Sequence, residues 1–227
     1  MDLQDKTIVV TGGAGGLGAA VVQALAKQGA RPVALDVRAA EGDHEVVDLA
    51  DGRAAEAAVE RVAARHGGID AVVTCAGIDT PGELGSVPAG VWERVVAVNL
   101  LGTAAVIRAA LPSLEARSGH VVTVASTLGH RALPHATAYC ASKFGVVGFT
   151  RALTGELAGR VAVTMLTPGG MDTSFFDGRD DQYKPGPDAQ LCAPEDVAAA
   201  VVAALAMPRG AEIRELVVTA PTEPSWP

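Results

Sequence analysis

Short β-branched runs alternate along this chain with longer, Ala-rich stretches of helical period. Lys6–Thr11 reads as a first strand. A helix follows from about Gly15, with Leu17, Val21, Ala24 and Leu25 on one face, and Gly29 ends it. Pro32–Asp36 predicts a second strand and His44–Asp48 a short third. Ala54–His66 carries Ala55, Val59 and Val62 at helical spacing and stops at Gly67-Gly68, before a fourth strand over Ile69–Cys75. Pro88–Leu114 predicts a long helix, disturbed near Gly102 or Pro112. Gly119–Ala125, Thr137–Leu157 and Arg160–Leu166 read as strand, helix and strand. A polar, irregular segment covers about Gly169–Cys192. Pro194-Glu195-Asp196 then opens a helix, with proline in the first turn and acids where the helix dipole favours them. Its inner face is Val197, Val201, Ala204 and Leu205, and Pro208-Arg209-Gly210 closes it. Glu212–Val218 predicts a last strand, and the tail Pro221–Pro227 should not be helical.

Strand–helix alternation at this pitch implies βαβ crossovers and a parallel sheet covered on both faces. No repeat or linker interrupts it, and 227 residues suit a single α/β domain spanning 1–227. With 49% hydrophobic and 19% charged residues, a sizeable core is available and general disorder is excluded. Aromatics at 4% and a net charge of −8 argue against nucleic acid and anionic membranes as partners. The polar N-terminus lacks a basic segment followed by an apolar one, and no apolar run reaches the roughly 20 residues of a membrane span. A cytoplasmic location is the expectation. Cys75, Cys140 and Cys192 are too scattered for zinc and too few for a disulfide framework, so no metal is expected.

Two places carry chemistry. Thr11–Gly18 (TGGAGGLG) follows the first strand and opens the first helix. Glycines there let the backbone turn tightly and approach a pyrophosphate, which the helix N-terminus attracts. Asp36 ends the second strand, where a carboxylate can accept from the ribose hydroxyls of NAD and repel the extra phosphate of NADP. Arg38, two residues on, could soften that discrimination. Asp48 and Leu49 stand where the adenine would be bordered. At the second place, Tyr139 and Lys143 are four apart on a predicted helix and therefore share a face. A phenol is a poor base at neutral pH, and a nearby ammonium favours its ionised form. The pair suits proton transfer.

Taken together, Thr11–Gly18, Asp36, Ala76-Gly77, Asn99, Ser126, Tyr139 with Lys143, and Pro168-Gly169 followed by Thr173 resemble the short-chain dehydrogenase/reductase family over nearly the whole chain. That resemblance implies a Rossmann-like doubly wound fold with about seven parallel strands in the order 3-2-1-4-5-6-7. It implies catalytic roles for Asn99, Ser126, Tyr139 and Lys143. Tyr139 would be general acid or base, Lys143 would lower its pKa and hold the nicotinamide ribose, and Ser126 would hold the substrate oxygen. Asn99 would bind a water in a proton relay. Gly12, Gly15, Gly16, Leu17, Gly18, Ala76, Gly77, Pro168, Gly169, Met171 and Thr173 would contact the cofactor. The family commonly has an Asn-Asn pair where this chain has Thr74-Cys75, which puts local strand support in question.

Residues 171–192 would form the substrate lid. Phe175-Phe176 gives it apolar weight, while Asp177–Asp181 should stay solvated. Leu128, His130, Leu133 and His135 could line the opposite wall, with His135 read as a structural histidine. The expected function is hydride transfer between NAD(H), NADP being less favoured, and a secondary alcohol or ketone. Alternatives are a 3-oxoacyl reductase specialisation, a non-redox epimerase or lyase, and a cofactor sensor. Relatives of this kind imply a homodimer or homotetramer built on the helices at Pro88–Leu114 and Thr137–Leu157.

Overall fold

The computed structural model describes residues 1–226. All seven strands join one parallel sheet in the order β3-β2-β1-β4-β5-β6-β7. The strands are β1 (Thr7–Thr11), β2 (Arg31–Asp36), β3 (His44–Val46), β4 (Ala71–Thr74), β5 (His120–Val124), β6 (Ala162–Pro168) and β7 (Glu215–Val218). The helices are α1 (Gly16–Lys27), α2 (Gly52–His66), α3 (Ala89–Val96), α4 (Thr103–Arg117), α5 (Thr137–Glu156) and α6 (Pro194–Leu205).

Alternation along β1 shows how the layers are made. Val9 lies on the side covered by Ala55 and Val59 of α2, Ala105 and Ile107 of α4 and Leu153 of α5. Ile8 and Val10 point the other way, toward Leu17, Val21 and Leu25 of α1 and Val197 and Val201 of α6. Successive strand side chains face opposite sides, so a continuous run of β-branched residues is buried on both. From β1 the chain moves outward to β2 and β3, then returns to place β4 on the other flank of β1. That reversal leaves a crevice at the C-terminal ends of β1 and β4, where ligands of open α/β sheets bind.

The expected elements are present, with several strands shorter than the hydrophobic runs. Helix α2 begins two residues early because Asp51 accepts from the amides of Arg53 and Ala54. The long helix is disturbed at Ala97–Gly102, which winds as one π segment between α3 and α4. A Cβ on Gly102 would lie 2.7 Å from the Leu49 carbonyl, so the backbone there presses directly on the β3–α2 loop. Pro112 sits inside α4 without breaking it; Pro112 and Arg108 are both exposed, so the carbonyl that loses its partner faces solvent. As a continuous helical stretch, Ala89–Arg117 reaches the length and mean hydropathy (1.7) of a membrane span, although no such run stood out in the sequence. Half of that window is buried inside the fold. Within the tail, Pro221–Trp226 is irregular, and Pro227 lies outside the described residues.

Candidate active site

A cavity of about 1240 Å³ runs along the C-terminal edge of the sheet. At one end lies the glycine turn. Gly12 has φ +70°, and a Cβ there would stand 2.9 Å from Ala76 Cα; a Cβ on Gly18 would collide with the Gly12 carbonyl. Helix α1 starts from Gly15 with no side chain capping its first amides, so those N–H donors are available to an anion. A pyrophosphate fits this cradle. Asp36 braces it, accepting from the amide of Ala14 (3.1 Å) and from that of Arg38 (3.0 Å). Arg38 folds over the turn, donating to the Ala14 carbonyl at 3.3 Å. Asp48 and Leu49 line the same end, where Arg94 holds Asp48 at 2.9 Å. The Ala50 amide, with the help of Arg94, keeps the Asp48 carboxyl below its usual range.

The other end holds Ser126, just after β5, and Tyr139 and Lys143, one turn apart on α5. Burial pushes the Tyr139 phenol up to about 12, only partly offset by the Ser126 hydroxyl. The expected lowering by Lys143 is not present in the protein alone. The Lys143 ammonium donates instead to the Val124 carbonyl at 2.9 Å and stands 5.7 Å from the centre of the phenol ring. Burial also brings Lys143 down to about 8, with Cys75 opposing.

Asn99 is fully buried in the π segment and does not line the cavity. Its amide accepts from Ile78 N–H (2.8 Å) and donates to the Ile78 carbonyl (2.9 Å) and to Ser142 Oγ (3.0 Å). Ser142 in turn donates to the Tyr139 carbonyl. Asn99 thereby ties the loop after β4 to the helix that carries Tyr139. Its Oδ1 and Lys143 Nζ flank Gly77, at 3.8 and 3.6 Å from a Cβ placed there. Thr11 Oγ1 accepts from the Ala76 amide, which supports the loop that Thr74-Cys75 leaves without the family's asparagines; the Thr74 hydroxyl is buried without a partner.

Leu17, Ala76, Gly77, Pro168, Gly169, Met171 and Thr173 also line the cavity. Thr173 accepts from the Phe175 amide and faces Gly16 across the cleft. One feature was not foreseen. The C-terminal residues Thr222–Ser225 also line the cavity, and Glu223 accepts from the Gly170 amide at 2.8 Å.

Leu128, Leu133 and Phe175 lie on the substrate side, with Leu133 exposed at the rim. His135 has φ +62° and joins them, its Nδ1 3.4 Å from the Tyr183 hydroxyl. The lid expectation needs one correction. Asp177, Gly178, Asp180 and Asp181 are exposed, but Arg179 turns inward. Its guanidinium stacks 4.5 Å from the Phe175 ring centre and 5.0 Å from that of Phe176, and pairs with Asp79. Two aromatic faces and a buried carboxylate outweigh hydration here. Asp79 was overlooked although it stands two residues past Ala76-Gly77. Arg179 was hidden by the acids around it.

Comparison with known proteins agrees with this geometry. The chain matches the short chain dehydrogenase family over residues 6–184. It is 36% identical over 237 residues to a D-threitol dehydrogenase of Mycolicibacterium smegmatis, covering 93% of this chain and 91% of that protein. It is 32% identical over 223 residues to a 3-oxoacyl-[acyl-carrier-protein] reductase of Thermotoga maritima, covering 89% and 91%. A short chain dehydrogenase of Burkholderia cenocepacia, solved in complex with NADP, superposes with a TM-score of 0.84 at 30% identity over 96% of this chain and 98% of that one. The nucleotide cradle, the Ser126–Tyr139–Lys143 cluster and these likenesses together make the chain a member of the short-chain dehydrogenase family of nicotinamide-dependent oxidoreductases.

Proposed function

We propose that the protein transfers a hydride between NAD(H) and a secondary alcohol or ketone, with Tyr139 as general acid in reduction and general base in oxidation. The observation that carries this reading is a single cavity joining the uncapped amides of α1 to Tyr139, Ser126 and Lys143. A bound nicotinamide supplies the hydride donor or acceptor, so the carbinol C–H bond broken in oxidation leaves as hydride and no metal is needed.

The chain's own groups handle the proton and the oxygen. Tyr139, held protonated at neutral pH, gives its proton to the developing alkoxide in reduction; in oxidation it must first lose that proton and then takes one from the alcohol. Ser126 donates to the same oxygen and stabilises the charge that grows on it. Lys143 keeps two N–H donors beyond the one given to Val124, enough for a ribose hydroxyl and the phenol side of the site. Asn99 orients this cluster through its contacts to Ile78 and Ser142. Because Gly170 is engaged by Glu223, the nicotinamide amide is left to Met171 and Thr173. Asp36 favours NAD, since a second phosphate would stand beside its carboxylate, whereas Arg38 and the NADP-bound relative keep NADP as the competitor. Leu101 and Phe144, exposed in the π segment and on α5, suit a homo-oligomeric contact, which light scattering would detect.

The test follows NADH formation over secondary alcohols with wild type and Tyr139→Phe, using NAD and NADP in parallel. Loss of the hydroxyl should lower kcat by roughly 10²–10⁴-fold. Oxidation by the wild type should quicken as pH rises toward the phenol's ionisation. Turnover that survives the substitution removes Tyr139 from the role. Substrate conversion without net NADH change would favour a non-redox member of the family.

A further inference from the structure

Asp79 and Arg179 meet at the substrate end of the cavity, Nη1 to Oδ2 at 3.3 Å, with side chains only 6% and 11% exposed. Their remaining polar atoms, Asp79 Oδ1 and Arg179 Nε and Nη2, are buried without any hydrogen-bond partner. Buried polar atoms are almost always satisfied, so a cluster of three calls for an explanation. Stacking on Phe175 and Phe176 accounts for where the guanidinium lies, but not for its bare edge. Phe175 also packs on Tyr139, ring centres 5.7 Å apart. The pair therefore stands one aromatic ring from the proton-transfer residue.

The free atoms describe the ligand they would take. One is an acceptor and two are donors, and the charges of the pair cancel. A carboxylate would use the donors but would meet Asp79 Oδ1 with no proton between them. A monohydroxylated alcohol, its one hydroxyl held at Tyr139 and Ser126, would leave all three bare. A hydroxyl donates one hydrogen bond and accepts others, so adjacent hydroxyls can give a proton to Asp79 Oδ1 and accept from Arg179 Nε and Nη2. We propose that Asp79 and Arg179 form a hydroxyl-recognition site, and that the substrate is a neutral polyhydroxylated compound, an alditol or sugar. The reacting carbon lies beside the hydroxyls this pair holds. The inference rests on the redox reading above and names its substrate class.

The experiment compares kcat/KM for threitol, xylitol and xylose with that for 2-butanol, 2-pentanol and 3-hydroxybutyrate. Wild type, Asp79→Asn and the double variant Asp79→Asn/Arg179→Met are assayed. Asp79→Asn alone leaves a buried, unpaired guanidinium that can compromise folding, so the double variant removes both charges while keeping most of the volume. Polyhydroxylated compounds should exceed both other classes by roughly tenfold or more, and each folded variant should cut the ratio of polyol to monoalcohol kcat/KM by a similar factor. Preference for the hydroxy acid, or a ratio unchanged in the double variant, overturns the proposal.

Saturation-transfer NMR with threitol and xylitol, in the presence of NADH, reads binding without turnover. If polyols bind wild type but not the double variant while no alcohol is converted, the recognition site stands and the redox reading falls. If other alcohols are converted while polyols neither bind nor react, the recognition site falls and the redox reading stands. Absence of both binding and turnover removes both.

Discussion

Two clusters of buried polar side chains begin at neighbouring residues after β4, and they are built in opposite ways. At Ile78 the backbone is gripped on both its N–H and its carbonyl by Asn99, whose amide also reaches Ser142; every polar atom there has a partner. One residue later Asp79 pairs with Arg179 through a single contact, leaving an acceptor and two donors bare. A saturated network has nothing left to offer a ligand and acts by fixing geometry: it holds the loop beside the cofactor against the helix bearing Tyr139 and Lys143. An unsaturated pair, held in place by aromatic stacking, keeps its capacity for something that arrives. Burial alone therefore does not separate positioning groups from binding groups.

Breaking the saturated cluster should cost the most. Asn99→Ala strands the Ile78 amide and carbonyl and a Ser142 hydroxyl, each of which loses a buried partner. We expect about 3 kcal/mol of lost stability, or a drop of roughly 6–12 °C in Tm, measured by thermal or urea unfolding. A loss below about 1 kcal/mol would mean that water takes over the amide's role and that the network is not a structural clamp.

Lys143, beside the same clamp, offers a pH test. Its folded pKa, about 8, lies below the ordinary lysine value of 10.5, so between these values the unfolded chain binds more protons than the folded one. Lys143 therefore destabilises the fold below pH 8, and that penalty is relieved as pH rises toward 10.5. Its share of the slope is up to about 1.4 kcal/mol per pH unit. Tyr139, shifted the other way, keeps its proton in the fold between pH 10 and about 12, so stability falls with rising pH there. From pH 8 to 10 wild type should gain stability relative to Lys143→Met in unfolding curves; parallel trends would mean that the lysine titrates elsewhere.

At the nucleotide end, Asp36→Asn removes the charge and keeps one of the two accepted contacts, to Ala14 or to Arg38, because an amide has a single acceptor oxygen. The ratio of kcat/KM for NADP over NAD should rise by on the order of tenfold, ~1.4 kcal/mol. No change would assign cofactor choice to Arg38 rather than to the carboxylate. The smallest effect on stability should come from the unsaturated pair. Asp79→Asn/Arg179→Met exchanges a buried ion pair for neutral groups of similar bulk, which is often neutral or stabilising. A change within about 1 kcal/mol of wild type is expected by the same unfolding assay. A loss as large as that of Asn99→Ala would make the pair a structural element and erase the contrast.

Much of this molecule was legible before its structure. Periodicity alone distinguished the β-branched strands from the helices, because a strand buried on both faces leaves a continuous apolar run while a covering helix leaves a stripe. Gly12 and Gly18 stood out as part of a glycine-rich turn between a strand and a helix, and the structure adds that a Cβ at either would press on backbone, at Ala76 or within the turn itself. Tyr139 and Lys143 followed from helical spacing. The departures share one cause. The π segment at Ala97–Gly102, the inward turn of Arg179, the approach of Glu223 to Gly170 and the high phenol pKa all depend on contacts between distant stretches of chain.

The sequence by itself determined the elements, their order and the residues able to do the chemistry, because spacing and turn chemistry are local properties. Only the tertiary structure decided which polar groups are already spent and which remain free. That distinction depends on partners far away in sequence: Arg179 from the lid meets Asp79 from the loop after β4 inside a cavity that neither segment forms alone.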